Sequence, residues 1–176
     1  MNRALFLDRD GVINHDPGYT GKIEDFVFTD GIFDLCRSFA QAGFMLFVIT
    51  NQAGIARGYY SARDFLSLTE WMQSRFLSYG VLISKVYYCP YHPEAVIPEY
   101  RQDSFDRKPK PGMIIRARDE FLLDLSHSML IGDMDHDIEA GKAAGVGRNI
   151  IIGKASPLAD LSFESINAAL DARIWE

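Results

Sequence analysis

The sequence predicts an α/β domain: a three-layer, doubly wound parallel sheet of the Rossmann type. Apolar runs of strand length alternate with amphipathic stretches of helical length, and those runs are apolar throughout instead of at every second residue. A strand buried on both faces reads that way, and sheets covered on both faces by crossover helices are parallel. Acids, a hydroxyl and lysines also gather just after the apolar runs, at the ends of the strands where open parallel sheets bind ligands.

Residues 4–7 (ALFL) are short, apolar and closed by Asp8, and they read as a buried strand. Asp30 and Gly31 introduce a helix to about residue 42, with Phe33, Leu35, Cys36, Phe39 and Ala40 as its apolar stripe and Gly43 as its C′ residue. Residues 44–50 (FMLFVIT) are the second strand. Ser61 can cap a long helix to residue 79 that turns Phe65, Leu66, Leu68, Met72, Phe76 and Leu77 inward. Residues 84–88 give a third strand, and Pro111 suits the first turn of a helix to about residue 123. A strand at 128–132, a helix at 137–144, a strand at 149–152 and a helical tail at 161–174 complete the chain. The irregular segment 89–110 is too long for a plain connection and is expected to cover a site. With no linker, repeat or low-complexity stretch, residues 1–176 are expected to form one domain.

Composition narrows the function. The 48% hydrophobic and 24% charged residues suit a globular chain with a sizeable core. A net charge of −6 with no basic run argues against a nucleic-acid partner. No apolar stretch nears the ~20 residues of a membrane span, and charge arrives too early for a secretory h-region. Two cysteines, Cys36 and Cys89, fit a reducing compartment better than a disulfide scaffold. A cytoplasmic protein without membrane or nucleic-acid partners is expected.

The strand ends carry the chemistry. In FLDRDGVIN, residues 6–14, two carboxylates sit one residue apart, which requires a cation or a retained proton. Extended backbone points residues i and i+2 the same way, so Asp8 and Asp10 are expected to face one pocket while Arg9 turns aside. Gly11 then permits the turn. Thr50, Asn51 and Gln52 end the second strand. DRKPKPG, residues 106–112, brings Arg107, Lys108 and Lys110 before a helix, and IGDMDHD, residues 131–137, places acids at 133, 135 and 137. Taken singly these are turn residues, caps and solvated charges. Their recurrence at successive strand ends is what such readings leave unexplained.

In order, Asp8-Arg9-Asp10-Gly11, Thr50, Lys108 and Gly132-Asp133-x-x-x-Asp137 resemble the pattern of the haloacid dehalogenase (HAD) superfamily of phosphohydrolases. The resemblance implies a Mg²⁺ ion held by Asp8, Asp133 and the backbone carbonyl of Asp10, in oxygen ligation suited to that cation. It implies Asp8 as the nucleophile that forms an aspartyl-phosphate, and Asp10 as general acid and then base. Thr50 and Lys108 would hold the phosphoryl oxygens. Physical reasoning alone leaves Lys108 against Lys110 open, and leaves Asp137 either touching the metal shell or capping a helix.

About forty residues separate Asp10 from Thr50, and one helix and one strand use most of them, so no separate cap domain is expected. Loops would then select the substrate. FLDRDGVIN, TNQAGIARGYY (50–60) and RKPKPGM (107–113) look like the D-glycero-D-manno-heptose-1,7-bisphosphate 7-phosphatases, with part of the pattern shared by histidinol-phosphate phosphatases. Carried over by position, this implies substrate contacts at Asp16, Pro17, Gly18, Tyr19, Asn51, Gln52, Ala53 and Arg107. Arg57 is either a further anion contact or a solvated loop residue. Many such enzymes staple the long loop with zinc through Cys-x-His and Cys-x-Cys; the matching positions here are Cys89, Tyr91, Ser104 and Asp106. A tetrahedral site needs four N or S ligands, so zinc is expected to be absent and the loop held by packing around Tyr88, Pro90, Tyr91 and Pro93. A monomer acting on a small sugar phosphate is expected. The competing class is a phospho-acceptor signalling module, whose acids come in a different order along the chain.

Overall fold

The computed structural model describes residues 2–176; Met1, at the start of the expected domain, lies outside the described residues. The chain runs β1 (Arg3–Leu7), α1 (Ile32–Gln41), β2 (Phe44–Asn51), α2 (Ala53–Ala56), α3 (Ala62–Ser78), β3 (Ile83–Cys89), α4 (Gly112–Phe121), β4 (Met129–Gly132), α5 (Asp135–Ala144), β5 (Arg148–Ile152), β6 (Leu161–Phe163) and α6 (Ile166–Asp171). All six strands are parallel, in the order β3-β2-β1-β4-β5-β6. From β1 the chain builds outward to β3, then returns to the other side of β1 to lay down β4. The loops leaving β1 and β4 therefore diverge and open a crevice at the sheet's carboxyl edge.

The uniformly apolar strands follow from three-layer packing. Ala4 and Phe6 of β1 join Phe47, Ile49, Met113, Ile114 and Ile138 under α4 and α5. Leu5 and Leu7 join Leu35, Phe39, Leu68 and Met72 beneath α1 and α3 on the opposite face. Each strand position is thus apolar whichever way it points. Ser61 caps α3 as expected: its hydroxyl accepts from Asp64 N, and the Asp64 carboxylate accepts from Ser61 N in return.

Three expectations are corrected. The tail is not a helix from residue 161: Leu161–Phe163 pairs with β5 as an edge strand, and only Ile166–Asp171 is helical. Three residues, two of them exposed, carry too little pattern to signal a strand. On α3, Leu66 and Leu77 lie at the surface, 46% and 62% exposed, while Phe65, Leu68, Met72 and Phe76 form the buried stripe. The two leucines sit at the margin of the apolar arc, beyond the reach of the sheet. The helix α2 was not anticipated within the loop after β2.

Segment 89–110 is held by main-chain bonds as well as by rings. Val96 N and Ile97 N both donate to Ala56 O of α2 at 3.1 Å, and His92 N donates to Tyr100 O at 3.1 Å. Tyr88 packs on Phe65 with centroids 4.5 Å apart, and Tyr91 lies 6.1 Å from Tyr100. No helix among the described residues is long and apolar enough to cross a membrane.

Candidate active site

Register brings the strand ends together. Leu7 pairs with Val48 on one side and Ile131 on the other, and Asp8 N donates to Ile131 O at 3.0 Å. One residue past Leu7 comes Asp8, and two residues past Val48 and Ile131 come Thr50 and Asp133, so three adjacent strands end side by side at the crevice. The cavity there has a volume of about 360 Å³. Of the residues singled out in the sequence, Asp8, Asp10, Asp16, Gly18, Tyr19, Asn51, Ala53, Lys108 and Asp133 line it.

Lys108 is at the centre. Asn51 pins its backbone, donating from Nδ2 to Lys108 O at 3.1 Å and accepting Lys108 N at 3.0 Å. The ammonium meets Asp8 Oδ1 at 2.8 Å, Asp137 Oδ1 at 2.6 Å and Ile49 O at 3.0 Å. Lys110 pairs instead with Asp103 near the surface, so the geometry selects Lys108. Asp137 caps the start of α5, one of the alternatives left open by the sequence, and also pairs with Lys108. It is fully buried, and its Oδ2 accepts from Asp133 N and Met134 N at the start of α5 while Oδ1 meets Lys108. Gly132 carries no side chain because a Cβ there would collide with Asp137, and a Cβ on Gly11 would collide with the Asp133 carboxylate.

Asp8, Asp133 and Asp137 each offer an oxygen, all within 4.8 Å of one another. With all three ionised, the carboxylates would leave two negative charges uncompensated by the one ammonium. Burial, partly opposed by Lys108 and reinforced by Asp137, pushes Asp8 well above the usual carboxylate range. Burial and the Asp137 charge raise Asp133 to about 6. Burial would also raise Asp137, but the Lys108 and His136 charges, together with hydrogen bonds from Lys108 and Met134 N, outweigh it and hold Asp137 low. Against burial, the Asp137 and Asp8 carboxylates keep Lys108 above its ordinary value. Asp133 Oδ1 is buried with no hydrogen-bond partner. An all-oxygen donor set with a spare charge of two and an orphaned carboxylate oxygen fits a hard divalent cation.

Asp10 faces the same cavity but is held from behind. Arg9 turns aside from the cavity as expected, and its guanidinium then holds Asp10 from behind, with Nη2 2.9 and 3.0 Å from the two carboxylate oxygens, and also donates to Thr20 O at 2.7 Å. Asn14 Nδ2 and Gln52 Nε2 add bonds of 3.0 and 3.1 Å to Asp10. In the loop after β1, Gly18 N donates to Asp16 Oδ1, and Gly18 and Tyr19 both have positive φ. Tyr19 packs edge-on to Tyr59, and the Arg57 guanidinium lies 5.8 Å above the Tyr19 ring.

Five expected residues do not line the cavity. Pro17 and Arg57 are exposed outside it, and Arg107 is half-buried outside it with its Nη1 unpaired. Thr50 and Gln52 are buried at 1% exposure. Tyr60, His136 and Met134 line the cavity without having been singled out; Tyr60 and His136 sit inside or beside motifs already flagged, which was the available signal. Of the residues at the positions that match zinc ligands in similar enzymes, Cys89 lies against Tyr91 O, and the Asp106 carboxylate is taken up by Arg116 at 3.0 Å.

A three-layer parallel sheet that delivers paired aspartates, a lysine and a second acidic loop to its switch point defines a HAD-type phosphohydrolase scaffold. Comparison with known proteins agrees. The HAD-hydrolase-like family model matches residues 105–152. A D-glycero-α-D-manno-heptose-1,7-bisphosphate 7-phosphatase of Burkholderia mallei is 54% identical over 151 residues, covering 86% of this chain and 80% of that protein. The D-glycero-β-D-manno-heptose-1,7-bisphosphate 7-phosphatase of Vibrio cholerae is 42% identical over 169 residues, covering 96% and 91%. Among solved structures, the D,D-heptose 1,7-bisphosphate phosphatase of B. bronchiseptica, complexed with magnesium and phosphate, superposes with a TM-score of 0.84 at 22% identity, covering 98% of both chains. A HAD-like protein of Mesorhizobium loti superposes at 0.89 with 31% identity, covering 99% of this chain and 85% of that one. The chain belongs to the heptose-bisphosphate phosphatase family of the HAD superfamily.

Proposed function

We propose that this protein is a Mg²⁺-dependent phosphomonoesterase that removes the 7-phosphate of D-glycero-D-manno-heptose 1,7-bisphosphate. The α anomer is favoured, because it is named for the relative at 54% identity. The observation that carries the reading is the Lys108 ammonium clamped between Asp8 and Asp137, beside an Asp133 oxygen with no partner. Asp8, Asp133 and the main-chain carbonyl of Asp10 would hold the metal, which when bound offsets repulsion between the carboxylates and the substrate phosphate.

Lys108 positions the Asp8 carboxylate and supplies positive charge against the phosphoryl group. An Asp8 oxygen bonds to phosphorus as the bond to the sugar oxygen breaks, and the Asp10 carboxyl gives its proton to that leaving oxygen. Asp10, now a carboxylate, takes a proton from water; the water oxygen bonds to phosphorus, the Asp8–phosphorus bond breaks, and inorganic phosphate leaves. Thr50 and the Asn51–Ala53 backbone face the transferred group, while Asp16, Gly18 and Tyr19 form the wall nearest the sugar. Arg107 and Arg57 lie beyond, where a second phosphate needs cations. We also propose a single capless domain, a monomer, no structural zinc and a cytoplasmic location.

A panel of phosphate esters assayed with Mg²⁺ tests this. The highest kcat/KM is expected for the heptose 1,7-bisphosphate, with the 1-phosphate retained in the product and the α anomer preferred over the β. Equal or better turnover of histidinol phosphate or a hexose bisphosphate overturns the substrate assignment. One stable phosphorylation per chain without turnover overturns the enzyme.

A further inference from the structure

Gln52 was expected to touch substrate, yet every polar atom of its side chain is committed within the protein. It is 1% exposed. Its Nε2 donates to Thr50 Oγ1 at 2.8 Å and to Asp10 Oδ2 at 3.1 Å, while its Oε1 accepts the Tyr60 hydroxyl at 2.5 Å. One amide thus bridges the group that holds the phosphoryl oxygens and the group that handles the proton.

The direction of that bridge matters. A threonine hydroxyl has one proton to give and two lone pairs with which to accept. Receiving Gln52 N–H on a lone pair leaves the Thr50 proton free for a phosphoryl oxygen. A reversed amide would take that proton on Oε1 and set a carbonyl dipole against the Asp10 carboxylate. The Asp10 carboxylate, an acceptor only, requires the N–H end of the amide on its side, and the Tyr60 hydroxyl, donating to Oε1 at the other end, holds the amide in that orientation. Burial pushes the Tyr60 phenol up to about 12, so it stays protonated and remains a donor.

Tyr60 is itself seated in a built slot. A Cβ on Gly21, at the end of the first loop, or on Gly54, in α2, would collide with its ring. Neither glycine has a positive φ, so space for the ring, not backbone freedom, is what each supplies. The two loops that bound the cavity meet on this one side chain.

We infer that Tyr60 and Gln52 are positioning residues: Tyr60, wedged between Gly21 and Gly54, sets the orientation of the Gln52 amide so that Thr50 offers its proton to substrate and Asp10 is held at the cavity wall. This rests on the phosphatase reading above; phosphate release by the wild-type enzyme tests that reading separately.

The test is a double-mutant cycle in Mg²⁺ with p-nitrophenyl phosphate and a sugar phosphate. Tyr60→Phe keeps the ring in its slot and removes only the hydroxyl; a fall of about tenfold in kcat/KM, the size of one ordinary hydrogen bond, is expected. Gln52→Met removes the bridge at similar volume and should cost more. In the Gln52→Met background Tyr60→Phe should then cost almost nothing, because both act through one amide. Full additivity, or wild-type rates for Tyr60→Phe, overturns the inference by making Tyr60 an independent substrate contact or a mere filler. Nuclear magnetic resonance of the Gln52 side-chain amide provides a readout apart from activity. Its protons should be protected from exchange in the wild type and lose protection in Tyr60→Phe, and unchanged protection counts against the proposal.

Discussion

The two ends of the sheet bury very different things. At the carboxyl edge, Asp8, Arg9, Lys108 and Asp137 are all buried ionisable groups: Lys108 is paired with Asp8 and Asp137, and Arg9 with Asp10. At the amino edge the buried polar chemistry is neutral: Ala4 N donates to Ser128 Oγ at 2.9 Å, and Ser128 Oγ donates to Asp124 O. Charges there stay near water, as in the exposed pair of Asp124 and His127 at 2.8 Å. Both ends close the same strands, so closing a strand does not require buried charge. Burying ions costs several kcal/mol each before pairing, and apolar replacements of whole pairs often stabilise. The concentration of charge at one end therefore points to chemistry there, and the other end shows what the fold alone needs.

The sharpest break of this contrast comes from Asp8→Asn. It keeps the shape of the side chain and should abolish phosphate release while the fold survives, as checked by turnover assay and thermal melting. Substantial residual turnover would remove Asp8 as nucleophile.

Lys108→Met comes next. Leaving Asp8 and Asp137 buried without their cation should cost about 3–5 kcal/mol in urea denaturation without metal, with partial recovery on adding Mg²⁺. A change below about 1 kcal/mol would show that the cluster is less charged than the contacts indicate.

Asp10→Asn should slow the sugar phosphate by about 10²–10⁴-fold, the usual scale of general acid–base catalysis. Hydrolysis of p-nitrophenyl phosphate, whose leaving group needs little protonation, should fall far less. Equal losses on both substrates would count against the acid role.

The smallest effect belongs to the amino edge. Hydrogen bonds from Ser126 and His127 hold the Asp124 carboxyl down at about 2, against an ordinary 3.8. A lowered carboxyl contributes stability that is complete above its unfolded value and is lost as pH falls through the folded one. The stability difference between wild type and Asp124→Asn should thus be small, constant above about pH 4 and gone near pH 2, with activity at neutral pH unaffected. A difference that persisted at pH 2 would mean the carboxylate charge is not what matters there.

How much was legible in advance divides along the same line. Asp8, Asp10 and Asp133 could be placed because each follows closely on a short apolar run, a pattern local in sequence, and because their order along the chain resembles that of the HAD phosphohydrolases. The role of Asp137 could not be settled, since its partner Lys108 arrives on a loop that no periodicity describes. Arg9 left the cavity as alternation predicts, but its pairing with Asp10 was not foreseen, because alternation says which way a side chain leaves the backbone, not that a long guanidinium will fold back onto its neighbour. Gln52 was taken for a contact because the resemblance carried its motif over by position, whereas the Tyr60 wedge that turns it into a brace depends on Gly21, thirty-one positions earlier. The edge strand β6 escaped because three residues leave no pattern to read.

Rapid-quench labelling tests the centre of this account most directly. With a substrate radiolabelled on the transferred phosphate, the wild-type protein should acquire a transient, hydroxylamine-sensitive label on the peptide containing Asp8. It should form and decay at rates matching phosphate release, and it should be missing from Asp8→Asn. Phosphate release with no labelled protein at any time, or a label mapping to another residue, would contradict it.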